Sequence, residues 1–447
     1  MDPEKIKKIA KKHYLRKDVQ KALFEQSKNR EFVPRFADAF GKRPDSLEYP
    51  GDLMGYIEKG ATSFHVSEEH WKNPLELNTN LSPKEIINLR LGWDLIIDID
   101  CPFLEYSRVA ASLIIEALQF HGIQNLGLKF SGKKGWHIGL GFQAFPEKIH
   151  NTIVRDFFPE GPRMIAAYIQ EMIKKSLTEQ ILDLSSVKEI SKATGKPEKL
   201  LKENNEFNPY SILEIDTVLI APRHLYRTAY SLNEKSLLVS TVIKPDQLKR
   251  FHPSWAKPSE IIIKPFLPKP EKNEAKELFV QAIDWYVKNK QKSKADPKIV
   301  KKPHVEIKLN QTQIENSLPP CITNILNGLK YDGRKRGLFI LINFFRSLGL
   351  DNENLEKVIS NWNKKNYKPL KESYIKGQLN WFKKQKPRLP PNCKKYYEDL
   401  TVCEPVPLCN KIKNPVPFVI RNMKLRKSSI KRKKTKTKYN TKKPKTF

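Results

Sequence analysis

The stretch Trp93-Asp-Leu-Ile-Ile-Asp-Ile-Asp100 alternates in polarity. In an extended chain Leu95, Ile97 and Ile99 fall on one side and Asp94, Ile96, Asp98 and Asp100 on the other, which predicts a strand with one buried face. Asp98 and Asp100 then leave the same face about 7 Å apart. Two carboxylates that close repel, and a divalent cation relieves the repulsion; Mg²⁺ favours oxygen ligands that it can share with substrate phosphates. An Asp-x-Asp pair is more often ordinary surface, so what lies around this one decides its meaning.

Downstream, Val109, Leu113, Ile114 and Leu118 mark a helix over about 106–121. Two short strands follow, Leu126–Phe130 and Trp136–Phe142, joined by Ser131-Gly-Lys-Lys-Gly135. The glycines let the turn approach a ligand closely, and its amides with Lys133 and Lys134 suit a phosphate. In the second strand Trp136, Ile138, Leu140 and Phe142 share one face, and His137, Gly139 and Gly141 the other. That alternation predicts an imidazole above a flat floor free of side chains. The order strand, helix, strand, strand predicts an α+β layer with helices packed on one side.

Further out the pattern is simpler. Residues 1–30 read as helix, 160–205 as helical, and 212–220 and 236–243 as strands, with Asp216 inside the first of these and Arg227 between them. Asp216 suits a third metal ligand and Arg227 a triphosphate partner. Pro265–Pro270 breaks the pattern, one more helix follows, and 288–310 is lysine-rich and poor in apolar residues, as a linker is. Segment 319–420 reads as all-helical, with Leu338, Leu341, Ile342, Phe345 and Leu348 at helical spacing. The tail from 424 reads as disordered.

The 447 residues carry 82 Lys and Arg against 49 Asp and Glu, a net charge of +33. Residues 424–447 hold 12 Lys and Arg and no acid, so +21 stays on the rest. A basic folded body predicts a polyanionic partner, most simply nucleic acid. The polar N-terminus, Met1-Asp-Pro-Glu-Lys, and the absence of an apolar run near about 20 residues predict no secretory signal, no membrane span and a cytoplasmic protein.

Four of the five cysteines lie late, as Cys321-x71-Cys393-x9-Cys403-x5-Cys409. Compact zinc modules use close Cys-x-x-Cys pairs, and there is none. Thiolates gathered from distant segments suit an iron–sulfur cluster pinning helices together, with zinc as the competitor. Cys101 reads as packing.

Together, the Asp98/Asp100 strand, the Ser131–His137 hairpin and the later Ile215-Asp216 with its basic and Ser231-Leu segment resemble the catalytic subunit of archaeo-eukaryotic DNA primases. Asn29-Arg-Glu-Phe32 and Thr62-Ser-Phe-His-Val-Ser67 are similar to that family's early sequence. The resemblance spans about 20–245. It implies an RRM-like sheet with helices, Mg²⁺ or Mn²⁺ on Asp98, Asp100 and Asp216, and an incoming nucleotide on Ser131, Lys133, Lys134, His137 and Arg227. Asn233 stands where the family usually has His, and no cysteine is placed for the zinc knuckle that many members carry in this domain.

Pro319-Pro-Cys321, Gly333-Arg334, Tyr374 and Pro390-Pro-Asn-Cys393 with the two later cysteines resemble the C-terminal domain of the primase large subunit, across 318–415. That likeness implies a four-iron [4Fe–4S] cluster on Cys321, Cys393, Cys403 and Cys409, and initiation contacts from Arg334, Arg336 and Tyr374.

The expected layout is a catalytic domain at 1–292, a linker at 293–317, an all-α iron–sulfur domain at 318–423 and a basic tail at 424–447. It looks like a single-chain primase of the kind found in some archaea, with single-stranded DNA, NTP or dNTP and an RNA–DNA primer duplex as partners. It leaves room for other replication proteins and for action as a monomer. Two rival readings stand beside it: a related repair or translesion polymerase extending existing ends, and a non-enzymatic RRM-like RNA-binding protein, which would carry exposed aromatics on its strands.

Overall fold

The computed structural model describes residues 3–36, 39–78, 81–215, 220–294, 313–314, 316–330, 333–393 and 395–423. Asp216, most of the expected linker (295–312 and 315) and the whole expected tail 424–447 lie outside the described residues. The chain divides into two compact units, Met1–Lys298 and Ile299–Phe447.

The first unit is built on a five-stranded sheet in the order Glu214–Ile215, Leu95–Asp100, Trp136–Leu140, Gly127–Phe130, Val242–Ile243, with every pairing antiparallel. The alternation around Asp98 holds. Leu95, Ile97, Ile99, Trp136, Ile138, Leu128 and Phe130 are buried together beneath the helices Leu104–Phe120 and Glu160–Leu184. Each such side chain contributes about 1.5–3 kcal/mol on burial.

The other face is covered too. There Ile96 packs into a second core with Tyr226, Phe64, Val66 and Phe266. This core belongs to a four-stranded sheet ordered Leu225–Arg227, Ser63–Ser67, Phe32–Phe36, Ala39–Phe40. Helices on one side and a second sheet on the other replace the expected single helical cover.

Ion pairs tie the two sheets. Arg30 meets the buried Asp94 carboxylate, which also accepts from the Phe142 amide at 2.8 Å and stands 3.1 Å from His70 Nε2. Burial pushes the Asp94 carboxyl up, but Arg30 and His70 outweigh it and hold the group well below the usual carboxylate range. Glu31 accepts from Arg43 at 2.7 Å and from Arg223 at 2.8 Å. Arg30, just before the Phe32–Phe36 strand, thus joins the second sheet to the residue that leads into the Leu95–Asp100 strand, while Glu31 braces the second sheet's own flanks.

Several elements are shorter than the pattern predicts. Residues 1–30 form two helices, Pro3–Tyr14 and Lys17–Ser27. The chain turns extended at Arg16, and the Gln20 side chain satisfies the Tyr14 carbonyl at 2.8 Å. Segment 160–205 breaks at Ser185 into Glu160–Leu184 and Val187–Thr194, because Ser186 and Glu189 form a reciprocal cap that starts a new helix. The strand after His137 ends at Leu140, and Phe142 begins a short 3₁₀ turn.

In the second unit the helices Pro320–Leu326, Arg334–Ser347, Asn352–Lys365 and Glu372–Lys383 enclose a core of Ile325, Leu341, Phe344, Ile359, Trp362 and Leu379, among others. No strand occurs among its described residues.

Candidate active site

The sheet register puts three polar side chains in one row. Asp98 lies opposite His137, and His137 opposite Lys129. His137 Nε2 stands 3.4 Å from Asp98 Oδ1, and Lys129 Nζ is 3.1 Å from His137 Nδ1. Asp98 is partly exposed and Asp100 exposed, so the row opens to solvent at its acidic end.

The turn beyond Phe130 is pressed onto that end. Ser131 and Gly135 close it, with Ser131 N donating to Gly135 O at 3.0 Å and Gly135 N to Ser131 Oγ at 3.1 Å. Ser107 anchors it from the helix below, its hydroxyl donating to Lys134 O at 2.7 Å. A Cβ on Gly135 would lie 2.3 Å from the Ile99 carbonyl oxygen and 3.4 Å from Asp100 Oδ1. Only glycine lets the turn come so near the aspartates. Lys133 and Lys134 are exposed on the turn, and Lys134 Nζ donates to the Pro102 carbonyl at 2.6 Å. Gly132, at φ +93°, has Asn233 packed over it, where a Cβ would meet the Asn233 Cβ at 2.8 Å.

Arg227 reaches the same region from the second sheet. It donates to the Leu232 carbonyl and pairs with Glu234 at 3.2 Å, and Glu234 in turn accepts from Ser63 and, at 3.1 Å, from Thr62. His65 sits close by and is buried. Burial first, then Arg227, Arg35 and Lys129, drive its pKa far down. His137 behaves alike, lowered by burial and then by Lys129 and Arg227. Arg227, Arg35 and Lys129 thus gather basic charge around two buried imidazoles, with Asp98 and Glu234 beside them.

One expectation fails here. The floor beside His137 is not free of side chains: a Cβ on Gly139 would strike Leu267 Cδ2 at 2.6 Å, and one on Gly127 would meet the Phe266 carbonyl oxygen at 2.0 Å. The glycines admit the 265–267 segment against the sheet, and His137 is only 5% exposed. The same cover removes the exposed aromatic platform that an RRM-like RNA-binding reading requires. Phe130 and Trp136 are buried on the helical face.

Lys129 is the residue the sequence reading missed. It is fully buried, bonded to Ser240 Oγ at 3.0 Å, and lies over the rings of Tyr226 and Phe266. Burial lowers its pKa to about 7, against the pull of Asp98. Its signal was a lysine between Leu128 and Phe130, on the polar face of a strand otherwise apolar.

Among the described residues no group of three or more His, Cys, Asp or Glu stands ready to hold a metal ion. With Asp216 outside the described residues, Asp98 and Asp100 are the described part of the expected trio. Cys101 is buried and its thiol is pushed up to about 11 by burial.

In the second unit all four late cysteines are free thiols. The Cys321 thiol is pushed up to about 12, by burial and then by the nearness of Cys393, Cys403 and Cys409. The four share a neighbourhood without forming a closed ligand set. Arg334 lies 4.7 Å over the Tyr367 ring and donates to the Lys368 carbonyl. Arg336 stands 3.8 Å from Asp399, and Tyr374 is half-buried beneath Lys335.

No family model matches the chain. It is 22% identical over 364 residues to the uncharacterized protein MJECS07 of Methanocaldococcus jannaschii, covering 74% of this chain and 73% of the relative. Among solved structures, the polymerase domain of Mycobacterium tuberculosis Ligase D in complex with DNA matches with a TM-score of 0.34 and 11% identity, over 62% of this chain and 88% of that one. At that TM-score the two share too little for one to guide the other.

Proposed function

We propose that this chain is a template-directed nucleotidyltransferase, a DNA primase that starts short RNA or DNA chains on single-stranded DNA. The observation that carries the reading is the packing of a glycine turn bearing two exposed lysines against the end of the Asp98/Asp100 strand, with His137 beside them. Phosphate-binding and carboxylate groups so close are what nucleotidyl transfer needs.

Asp98 and Asp100, with Asp216, would hold Mg²⁺ or Mn²⁺; oxygen donors leaving one strand face fit hard divalent ions. When bound, such ions bring a nucleophilic oxygen onto an α-phosphate and stabilise the leaving pyrophosphate. Ser131, Lys133 and Lys134 would bind the incoming nucleotide's phosphates. His137 would donate a hydrogen bond to them, and Arg227 would add a guanidinium on exchanging Glu234. The basic body would track the template backbone.

Four thiolate donors are what a four-iron cluster takes. Cys393, Cys403 and Cys409 each push the Cys321 thiol up, and a shared cation would relieve the repulsion between their deprotonated forms. Cys321, Cys393, Cys403 and Cys409 would hold that cluster, with Arg334, Arg336 and Tyr374 assisting the initiating nucleotide.

The test is synthesis on single-stranded DNA with labelled NTPs or dNTPs and no primer. The intact chain should make short products. Asp98→Ala and Asp100→Ala should each abolish them while single-stranded DNA binding persists, since affinity rests on basic side chains elsewhere. Products at wild-type level from either variant would overturn the assignment, and elongation of supplied primers alone would favour the repair-polymerase reading.

A further inference from the structure

The row Asp98–His137–Lys129 has a direction, and its hydrogen-bond inventory fixes it. Ser240 Oγ donates its only proton to the Phe130 carbonyl at 3.0 Å. Its remaining lone pairs can only accept, so the contact at 3.0 Å from Lys129 is a bond donated by Lys129. As an ammonium, the form that Asp98 and the two ring faces favour against its burial, Lys129 has three donors and no acceptor. Its second polar neighbour, His137 Nδ1 at 3.1 Å, must therefore accept as well.

An imidazole that accepts at Nδ1 carries its proton on Nε2. That nitrogen faces Asp98 Oδ1 at 3.4 Å, towards the end of the row that Asp98 opens to solvent. Lys129 itself has little freedom to reverse this. It is fully buried, with its ammonium 5.6 Å from the Tyr226 ring centroid and 5.2 Å from that of Phe266. Ring faces favour the cationic form. The strand register holds Lys129 opposite His137 on one side and Val242 on the other.

We propose that Lys129 is a positioning residue: through Nδ1 it keeps the proton of His137 on Nε2, so that the imidazole offers a hydrogen-bond donor, and no acceptor, to a ligand in the cleft. The ligand class this selects is an anion rich in acceptor oxygens, a nucleotide polyphosphate on the function proposed above. The inference rests on that reading for its ligand only. The tautomer follows from the hydrogen bonds that a charged Lys129 makes. Lys129 acts through His137 and need not touch the substrate.

The test is histidine NMR on the full-length protein labelled with ¹⁵N-histidine, with the His137 signal assigned by its loss in His137→Gln. In the wild type, two-bond ¹H–¹⁵N correlations should report an unprotonated Nδ1 and a protonated Nε2. Lys129→Met keeps the length of the side chain and removes its donors. It should give a mixture of tautomers and raise KM for the nucleotide about tenfold or more, with kcat changed less, because a donor aimed at the bound phosphates is lost. Ser240→Ala, a gentler change, should move both readouts the same way by less. A wild-type proton on Nδ1 would overturn the proposal even if Lys129→Met fails to fold. So would a folded Lys129→Met with the wild-type tautomer and KM. The expected tautomer in a protein that neither binds nor adds nucleotides would remove the polymerase reading and leave the Lys129 assignment standing.

Discussion

Replacing Gly135 with alanine asks whether the phosphate turn and the aspartate strand act as one unit. The new Cβ would lie 2.3 Å from the Ile99 carbonyl oxygen, whereas ordinary van der Waals contact begins at 3.4 Å. The turn must withdraw by about 1.1 Å, the difference of those two distances. Ile99 cannot yield, because its strand is paired on both sides, with Trp136 and with Ile215. A misplacement of roughly 1 Å between groups that act on one substrate costs on the order of 100-fold in rate, or about 2.7 kcal/mol of barrier. The folding cost of such overpacking is about 1–3 kcal/mol, and at about 2–4 °C per kcal/mol that lowers the melting midpoint by several degrees without unfolding the protein at 25 °C. The assay pairs kcat/KM for primer extension with a thermal melt and single-stranded DNA affinity, which should hold steady. Gly377→Ala is the control: it lies in the helix Glu372–Lys383, a Cβ there meets nothing within 4 Å, and it should leave extension unchanged. Full extension activity by Gly135→Ala would refute the coupling of turn to strand, as would a loss of DNA binding equal to the loss of rate.

Removing residues 424–447 deletes 12 positive charges and should weaken single-stranded DNA binding of any sequence. Each phosphate that the shortened chain no longer neutralises should flatten the salt slope by about 0.7, and an unchanged slope in a salt titration would refute a role for the tail. Protein purified without oxygen should be brown and carry about four irons if the four late cysteines hold a [4Fe–4S] cluster. A chain ending at residue 292 should lose the iron and unprimed initiation yet still extend a primer, and stoichiometric zinc on metal analysis would remove the cluster. Glu31 supplies an acid-sensitive contribution: burial raises its carboxyl, but Arg43 and Arg223 outweigh that and leave it lowered. A depressed folded pKa stabilises above the unfolded value of about 4.3 and is lost as pH falls through the folded one. Glu31→Gln should therefore lower stability at pH 7 and flatten the acid limb of a denaturation profile, and a wild-type acid limb would contradict the pairing.

The strand of Asp98 and the hairpin of Ser131 were legible because their signals are local: a period of two, and a turn whose glycines and lysines sit within five residues. The second sheet was not. Phe32–Phe36 and Ser63–Ser67 are joined by a register such as Val33 to His65, and Leu225–Arg227 enters from far along the chain. A three-residue strand has no period to read. Gly139 looked like open floor for the same reason, since the segment that fills it, Phe266-Leu267, is more than a hundred residues away in sequence. Lys129 was visible as an oddity in an apolar strand. Its meaning depended on His137, Ser240 and two ring faces that only the fold assembles. The break after Tyr14 had no glycine or proline to announce it.

The Arg227–Glu234 pair gives the cleft an internal counter-ion. A guanidinium facing Lys129 and His65 without an anion would push the two sheets apart; with Glu234 beside it, the resting protein carries its own stand-in for a ligand. On the function proposed above, an arriving polyphosphate would meet an exchange reaction, its affinity a difference between two partners of the same arginine. Such an arrangement would keep its charge balanced with no ligand present and would hold small, singly charged anions weakly. It would favour a ligand that brings more negative charge than one carboxylate can offer, as a phosphate chain does.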